Sequence, residues 1–237
     1  MNNDIKGYLF DYGGTLDTCG CHWGKKIWHA YEACNVPVAE QDFRDAYVHG
    51  ERTLGKNRII MPEHTFRHTL DVKLKLQMQW IEDNGKWTSA VADWQTLHDA
   101  VLDTLYADVV KTQKHSREVL ETLAKDYPLV LVSNFYGNVG VVLKEFSLDH
   151  LFQDIIESAV VGIRKPDPQI FQLGVDALHL PANEVLVVGD SIDKDIVPAK
   201  SIGCQTAWYK GEGWTDAPQD ETAADIVISD LAQLISR

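Results

Sequence analysis

Three short apolar runs, each cut off by a polar residue, constrain this chain more than any other feature. Tyr8-Leu9-Phe10 stops at Asp11, Leu129-Val130-Leu131-Val132 at Ser133-Asn134, and Val185-Leu186-Val187-Val188 at Gly189-Asp190-Ser191. Runs this short read as strands buried on both faces. After Thr112 such runs alternate with stretches of helical spacing. Helices are expected over about 116–125, 138–146 and 169–178, and a further one after Gly189-Asp190-Ser191. A weaker strand is expected over 155–159, another at 206–209, and a last one at 226–228 before a closing helix. This alternation predicts an α/β fold with a parallel sheet covered by helices on both faces. Parallel sheets take ligands at the carboxyl edge of their strands, so Asp11, Ser133 and Asp190 are expected to meet in one crevice.

Between about Trp23 and Val110 the rhythm changes. Phe66, Leu70, Leu74, Met78 and Ile81 recur at helical spacing, as do Val91, Trp94, Leu97, Val101 and Leu105. The stretch shows no clear strand and predicts an all-helical insert, with Trp23, Trp28, Trp80, Trp87 and Trp94 most simply forming its core. The chain has 237 residues, 45% hydrophobic and 24% charged, enough for one α/β domain plus a smaller insert. Against 35 Asp and Glu stand 22 Lys and Arg, a formal charge of −13. A surface this acidic argues against nucleic-acid or membrane partners, but not against a small phosphorylated substrate in a locally positive site. No apolar stretch approaches the roughly 20 residues of a membrane span. The start, Met1 to Asp4, is polar with no apolar signal region behind it, and Cys19, Cys21, Cys34 and Cys204 do not form a disulfide framework. The expectation is a cytoplasmic protein with reduced thiols, monomeric or homodimeric. Cys19, Cys21 and His22 resemble half a zinc site with no second pair at suitable spacing.

Four segments carry the chemistry. Asp11-Tyr12-Gly13-Gly14-Thr15 puts a carboxylate at a strand end before glycines whose backbone N–H groups can turn toward an anion. By itself it reads equally as an ordinary turn. Ser133 can donate to a phosphate oxygen or cap the helix that follows. Lys165, in Arg164-Lys165-Pro166-Asp167-Pro168, can neutralise a phosphate or sit in a solvated basic turn. Gly189-Asp190-Ser191-Ile192-Asp193-Lys194-Asp195 places three carboxylates within six residues at a buried strand end. Unpaired they would repel, and a hard divalent cation with oxygen ligands would relieve that cost. The helix dipole explains Asp193 better than Asp190.

In this order and spacing the four segments resemble the four motifs of the haloacid dehalogenase-like superfamily. The resemblance covers a Rossmann-like core, residues 1–17 and 112–237, and the helical insert at 18–111 matches the position of the family's cap. It implies a hydrolase, most simply a phosphatase acting on a small phosphorylated metabolite through an aspartyl-phosphate at Asp11. Catalytic roles then fall to Asp11 and Lys165, and phosphate binding to Ser133, Asn134, Gly14, Thr15 and Lys165. Mg²⁺ would be held by Asp11, the Gly13 carbonyl, Asp190 and Asp195.

The match departs from the pattern at Gly13, where the family's phosphatases carry a second aspartate that protonates the leaving group. A general acid–base contributes about 10² to 10⁴ in rate. Asp17 and His22 are the candidate substitutes, His22 being the better proton donor near neutral pH. Family members that cleave a carbon–phosphorus bond have a small residue at this position and a cap lysine that forms a Schiff base, for which Lys25, Lys26 and Lys56 are available. The 2-haloacid dehalogenases place tyrosine there and dispense with metal, which Gly13 and the acidic segment oppose. The remaining alternative is a phosphate-ligand-binding protein without turnover.

Overall fold

The computed structural model describes residues 5–215 and 219–235. The polar start, Met1 to Asp4, lies outside the described residues. Strand β1 (Gly7–Phe10) is followed by four helices: α1 (Trp23–Ala33), α2 (Glu40–Lys56), α3 (Phe66–Asp83) and α4 (Trp94–Leu123). Then come β2 (Leu129–Ser133), α5 (Val139–Glu145), β3 (Asp154–Glu157), α6 (Ser158–Val161) and α7 (Gln169–Leu178). The chain ends through β4 (Val185–Gly189), α8 (Val197–Ser201), β5 (Gln205–Tyr209) and β6 (Ile226–Ile228).

The six strands form one sheet in the order β3-β2-β1-β4-β5-β6, every neighbouring pair parallel. The expected α/β, Rossmann-like architecture is therefore present. Strands β1, β2 and β4 are buried at every position, which is why they read as unbroken apolar runs. Their side chains alternate between two cores. Leu9, Val130, Val132, Val185 and Val187 face Ile170, Phe171 and Val175 of α7. Tyr8, Phe10, Leu129, Leu131, Leu186 and Val188 face the other way, into a core that runs on without a break into Ile27, Phe43, Leu70, Met78 and Leu105 of the helical insert.

Helix α4 passes position 111 uninterrupted, so one helix belongs to both the insert and the sheet layer. Within the insert the one strand-like feature among the described residues is an isolated antiparallel bridge between Val38 and Trp87. The expected closing helix is a single 3-10 turn, Leu231–Leu234, capped by Asp230 and Gln233. The segment after Asp190 makes one wide turn, Ile192–Ile196, before α8. No described helix is long and apolar enough to cross a membrane.

Candidate active site

The three central strands deliver the three expected residues to one edge. Asp11 follows β1 and its N–H donates to Val188 O (2.9 Å), which continues the β1–β4 ladder past the strand end. Ser133 is the last residue of β2, and Asp190 follows β4. The loop after β1 must pass close under the acidic segment. At Gly14, with φ of +98°, a Cβ would lie 2.4 Å from Asp190 Cγ, so no other residue fits there. Gly189 has the same function toward Asp195, whose Cβ would stand 2.4 Å from a Cβ at position 189. Helix α4 braces the loop from below. Gln113 Nε2 donates to Tyr12 Oη (2.7 Å) and Ser116 Oγ to Leu16 O (2.7 Å), both in buried surroundings.

Lys165 holds the centre of the site. Its Nζ donates to Asp11 Oδ1 and to Asp195 Oδ1, each at 2.6 Å, with all three side chains buried. Burial alone would lower the Lys165 pKa, but Asp11 and Asp195 outweigh it and raise it, so the amine stays charged. Asn134 fixes the main chain of this lysine from both sides: Lys165 N–H donates to Asn134 Oδ1 (2.9 Å) and Asn134 Nδ2 to Lys165 O (3.1 Å). Asp11, Asp190 and Asp195 offer oxygens within 4.8 Å of one another. Burial pushes Asp11 up to about 6, with Lys165 opposing and Asp195 reinforcing the rise. Asp190 is raised well above the usual carboxylate range, by burial first and then by Asp195 and Asp11. Three converging carboxylates with one lysine between them are the donor set a hard dication fits, and the strain on Asp190 is what such an ion would relieve. Beside them Ser133 Oγ is buried and has no hydrogen-bond partner, as expected of a hydroxyl that faces a ligand oxygen. Thr15 Oγ1 lies 3.4 Å from both Asp11 Oδ2 and Asp190 Oδ1, and the Gly14 N–H donates to Asp17 Oδ1 (2.7 Å).

A model of the haloacid dehalogenase-like hydrolase family matches residues 5–203. The chain belongs to this family. It is similar to the phosphoglycolate phosphatase of Vibrio cholerae, 29% identical over 234 residues and 94% of each chain. It also resembles the glyceraldehyde 3-phosphate phosphatase of Pyrococcus furiosus, 34% identical over 89 residues; there the match spans only 37% of either protein. Among solved structures, the magnesium-bound HAD-hydrolase YfnB of Bacillus subtilis superposes with a TM-score of 0.61 at 18% identity, covering 99% of this chain and 98% of that one. A HAD phosphatase from Thermococcus onnurineus gives 0.54 at 22% identity, over 98% and 97%. At these identities the structural likeness speaks for the fold.

The rest of this hydrolase's cleft, about 1080 Å³ in volume, separates the remaining candidates. His22, one of the two candidate substitutes for the missing acid, caps α1. Its Nδ1 accepts the Gly24 N–H (3.0 Å) to cap α1, and burial, helped by Lys194, lowers its pKa to about 4. It is a neutral capping residue at pH 7. Asp17 is fully buried, held by Gly14 N–H and by Trp23 Nε1 (3.0 Å), and raised by burial to about 7. Of the three lysines considered for a Schiff base, Lys56 lines the cleft. Lys25 pairs with Glu40 and Glu212, and Lys26 with Asp108 beside a second cavity.

Sequence reasoning missed a cluster that shares the cleft with Asp11. Lys73 of α3 pairs with Glu51 of α2 (2.8 Å), and Tyr136, in the loop after β2, donates to Glu51 Oε2 (3.1 Å). Lys73 loses by burial, but Glu51 and the tyrosines raise its pKa well above normal, the opposite of what imine formation needs. These residues fall on helix faces that carry no motif, so only the tertiary fold joins them. Trp214, after β5, was missed as well; it packs against His22 and Tyr47, each at 5.0 Å between ring centroids.

Proposed function

We propose that this hydrolase is a Mg²⁺-dependent phosphatase of small organic phosphates, working through a phosphorylated Asp11. One observation carries the reading: Lys165 bridges Asp11 and Asp195 at the end of β1, and the unpartnered hydroxyl of Ser133 stands at the same edge, at the end of the neighbouring strand β2. This is a nucleophile, a cation for developing negative charge and a free donor for a phosphoryl oxygen, at one edge of the sheet. The phosphoglycolate phosphatase matched over 94% of its length agrees with phosphate esters as the substrate class.

In this reading a carboxylate oxygen of Asp11 attacks phosphorus, and the ester P–O bond breaks with its electron pair leaving on the alcohol oxygen. Lys165 and Ser133 hold the phosphoryl oxygens during the transfer. Water then attacks the acyl phosphate, which frees inorganic phosphate and restores Asp11. Asn134 keeps Lys165 in register through its main chain. Asp11, the Gly13 carbonyl, Asp190 and Asp195 would hold Mg²⁺, which when bound would offset the negative charge of the phosphate. Residues 18–111 act as a cap over a core of 1–17 and 112–237, with α4 as the shared strut.

Phosphate release from a panel including 2-phosphoglycolate and glyceraldehyde 3-phosphate, with Mg²⁺ or with chelator, tests the proposal. Turnover is expected with Mg²⁺ and is abolished in Asp11→Asn, whose amide cannot attack phosphorus. Cleavage of phosphonoacetaldehyde with no ester hydrolysed, or ester binding without turnover, would overturn it.

A further inference from the structure

More than half of the unpaired positive charge among the described residues lines one cleft. Among the described residues 21 side chains are Lys or Arg, and 12 of them sit in an ion pair. Of the nine that do not, five line the active-site cleft: Arg52, Lys56, Arg58, Arg164 and Lys194. All five are exposed and none has a side-chain hydrogen bond. The acids that share the cleft are already engaged. Lys165 holds Asp11 and Asp195, Gly14 and Trp23 hold Asp17, and Lys73 and Tyr136 hold Glu51. Asp190 belongs to the carboxylate cluster.

Arg164 and Lys194 flank Lys165 and Asp195 in sequence and stand on the sheet side, where the phosphoryl group is bound in the proposed reaction. Arg52, Lys56 and Arg58 stand on the insert side, at the end of α2 and just after it. Arg52 and Lys56 are four residues apart on one helix face, where like charges repel. The dipole at the helix end favours Lys56, but Arg58 lies past the helix and Arg52 just before its last turn.

We propose that Arg52, Lys56 and Arg58 form a subsite for a second anionic group of the substrate, at its end distant from the phosphoryl group. The substrate class is an organic phosphate that carries a carboxylate or a second phosphate. The proposal rests on the phosphatase reading for the orientation of the ligand. A cleft of about 1080 Å³ has room for a sugar-sized body between the two charged ends. Phe135 and Tyr136 also line this cleft.

Calorimetric titration of the Asp11→Asn protein with Mg²⁺ provides the test, using ligand pairs that differ at the distal end. In one pair, 6-phosphogluconate and sorbitol 6-phosphate differ by a carboxylate; in the other, fructose 1,6-bisphosphate and fructose 6-phosphate differ by a phosphate. At least one dianionic ligand is expected to bind roughly tenfold more tightly than its partner, the scale of a few exposed charge pairs together. In Arg52→Gln/Lys56→Gln/Arg58→Gln that ratio falls toward one. The pair that responds identifies the second group. Ratios near one in both pairs, a ratio unmoved by the triple substitution, or no binding of any of the four overturns the subsite. Wild-type turnover of the same ligands separates the two ideas. A preserved ratio without turnover overturns the phosphatase reading, and turnover with equal Kd values overturns the subsite alone.

Discussion

Asp17 is a carboxyl group with no exposed surface, six residues after the nucleophile position. Burial raises its pKa from 3.8 to about 7, and the N–H donors of Gly14 and Trp23 only partly offset the rise. Between about pH 4 and 7 the folded protein therefore holds a proton here that the unfolded chain has lost. Stability from this group is complete below pH 4 and declines as pH rises through 7, at up to about 1.4 kcal/mol per pH unit. Urea unfolding in chelator should show the wild type losing stability relative to Asp17→Asn across that window; parallel pH profiles would rule the shift out. Gly13 bears on the same proton. Its φ is not in the left-handed region, and a Cβ there would meet only Trp23, at 3.9 Å, the ring whose Nε1 holds Asp17. Gly13→Asp should fold and raise turnover of alkyl phosphates by about 10² to 10⁴ while leaving activated aryl phosphates little changed, with Gly13→Ala as the control. If the wild type already hydrolyses both kinds equally and Asp17→Asn restores the dependence on leaving group, the proton comes from Asp17.

At the scale of elements, α4 shows what the sequence concealed. Its buried face runs through Val101, Leu105 and Val109, then Thr112, Gln113 and Ser116, then Val119, Leu120 and Leu123. The polar middle breaks the apolar period, so the sequence reads as two helical pieces where one 30-residue helix stands. Those polar residues are buried because they hold the loop after β1. Ser116→Ala leaves the Leu16 carbonyl unpaired and should cost about 1 kcal/mol or more in stability. It should also lower kcat several-fold with KM little changed, because the loop it braces carries Asp11; a normal kcat in the destabilised variant would restrict α4 to a structural role. The strands were legible for the complementary reason: β1, β2 and β4 are covered on both faces and run apolar up to the polar residue at or just past their ends. Asp11, Ser133, Lys165, Asp190 and Asp195 were legible as motifs, and the sheet brings them together. Lys73, Glu51 and Tyr136 belong to no local pattern, and the contacts that join them exist only once α2 and α3 pack beside the loop after β2; Asp17 was legible as a candidate acid, but its complete burial was not.

Over the whole molecule, stability and metal binding are linked through the carboxylate cluster. Without a cation the fold must hold Asp11, Asp190 and Asp195 within 4.8 Å of one another, with Lys165 bridging only two of them. Removing one charge eases that repulsion, so Asp190→Asn should leave the metal-free protein as stable as the wild type or more so. Mg²⁺ reverses the comparison, because an ion that binds only the folded state stabilises it by about 2.7 kcal/mol at a hundredfold excess over Kd. For a chain of this size that corresponds to a rise in Tm of about 5 to 10 °C. The wild type should show this rise, Asp190→Asn should lose most of it, and Asp193→Asn, whose side chain is exposed outside the cluster, should keep it. Thermal scans of the three proteins with and without Mg²⁺ make the comparison independent of any substrate. Equal shifts in both variants would mean that the acidic segment after β4 meets the ion through other residues. An Asp190→Asn protein less stable than wild type without metal would show that the aspartate has a structural partner outweighing the repulsion from Asp11 and Asp195.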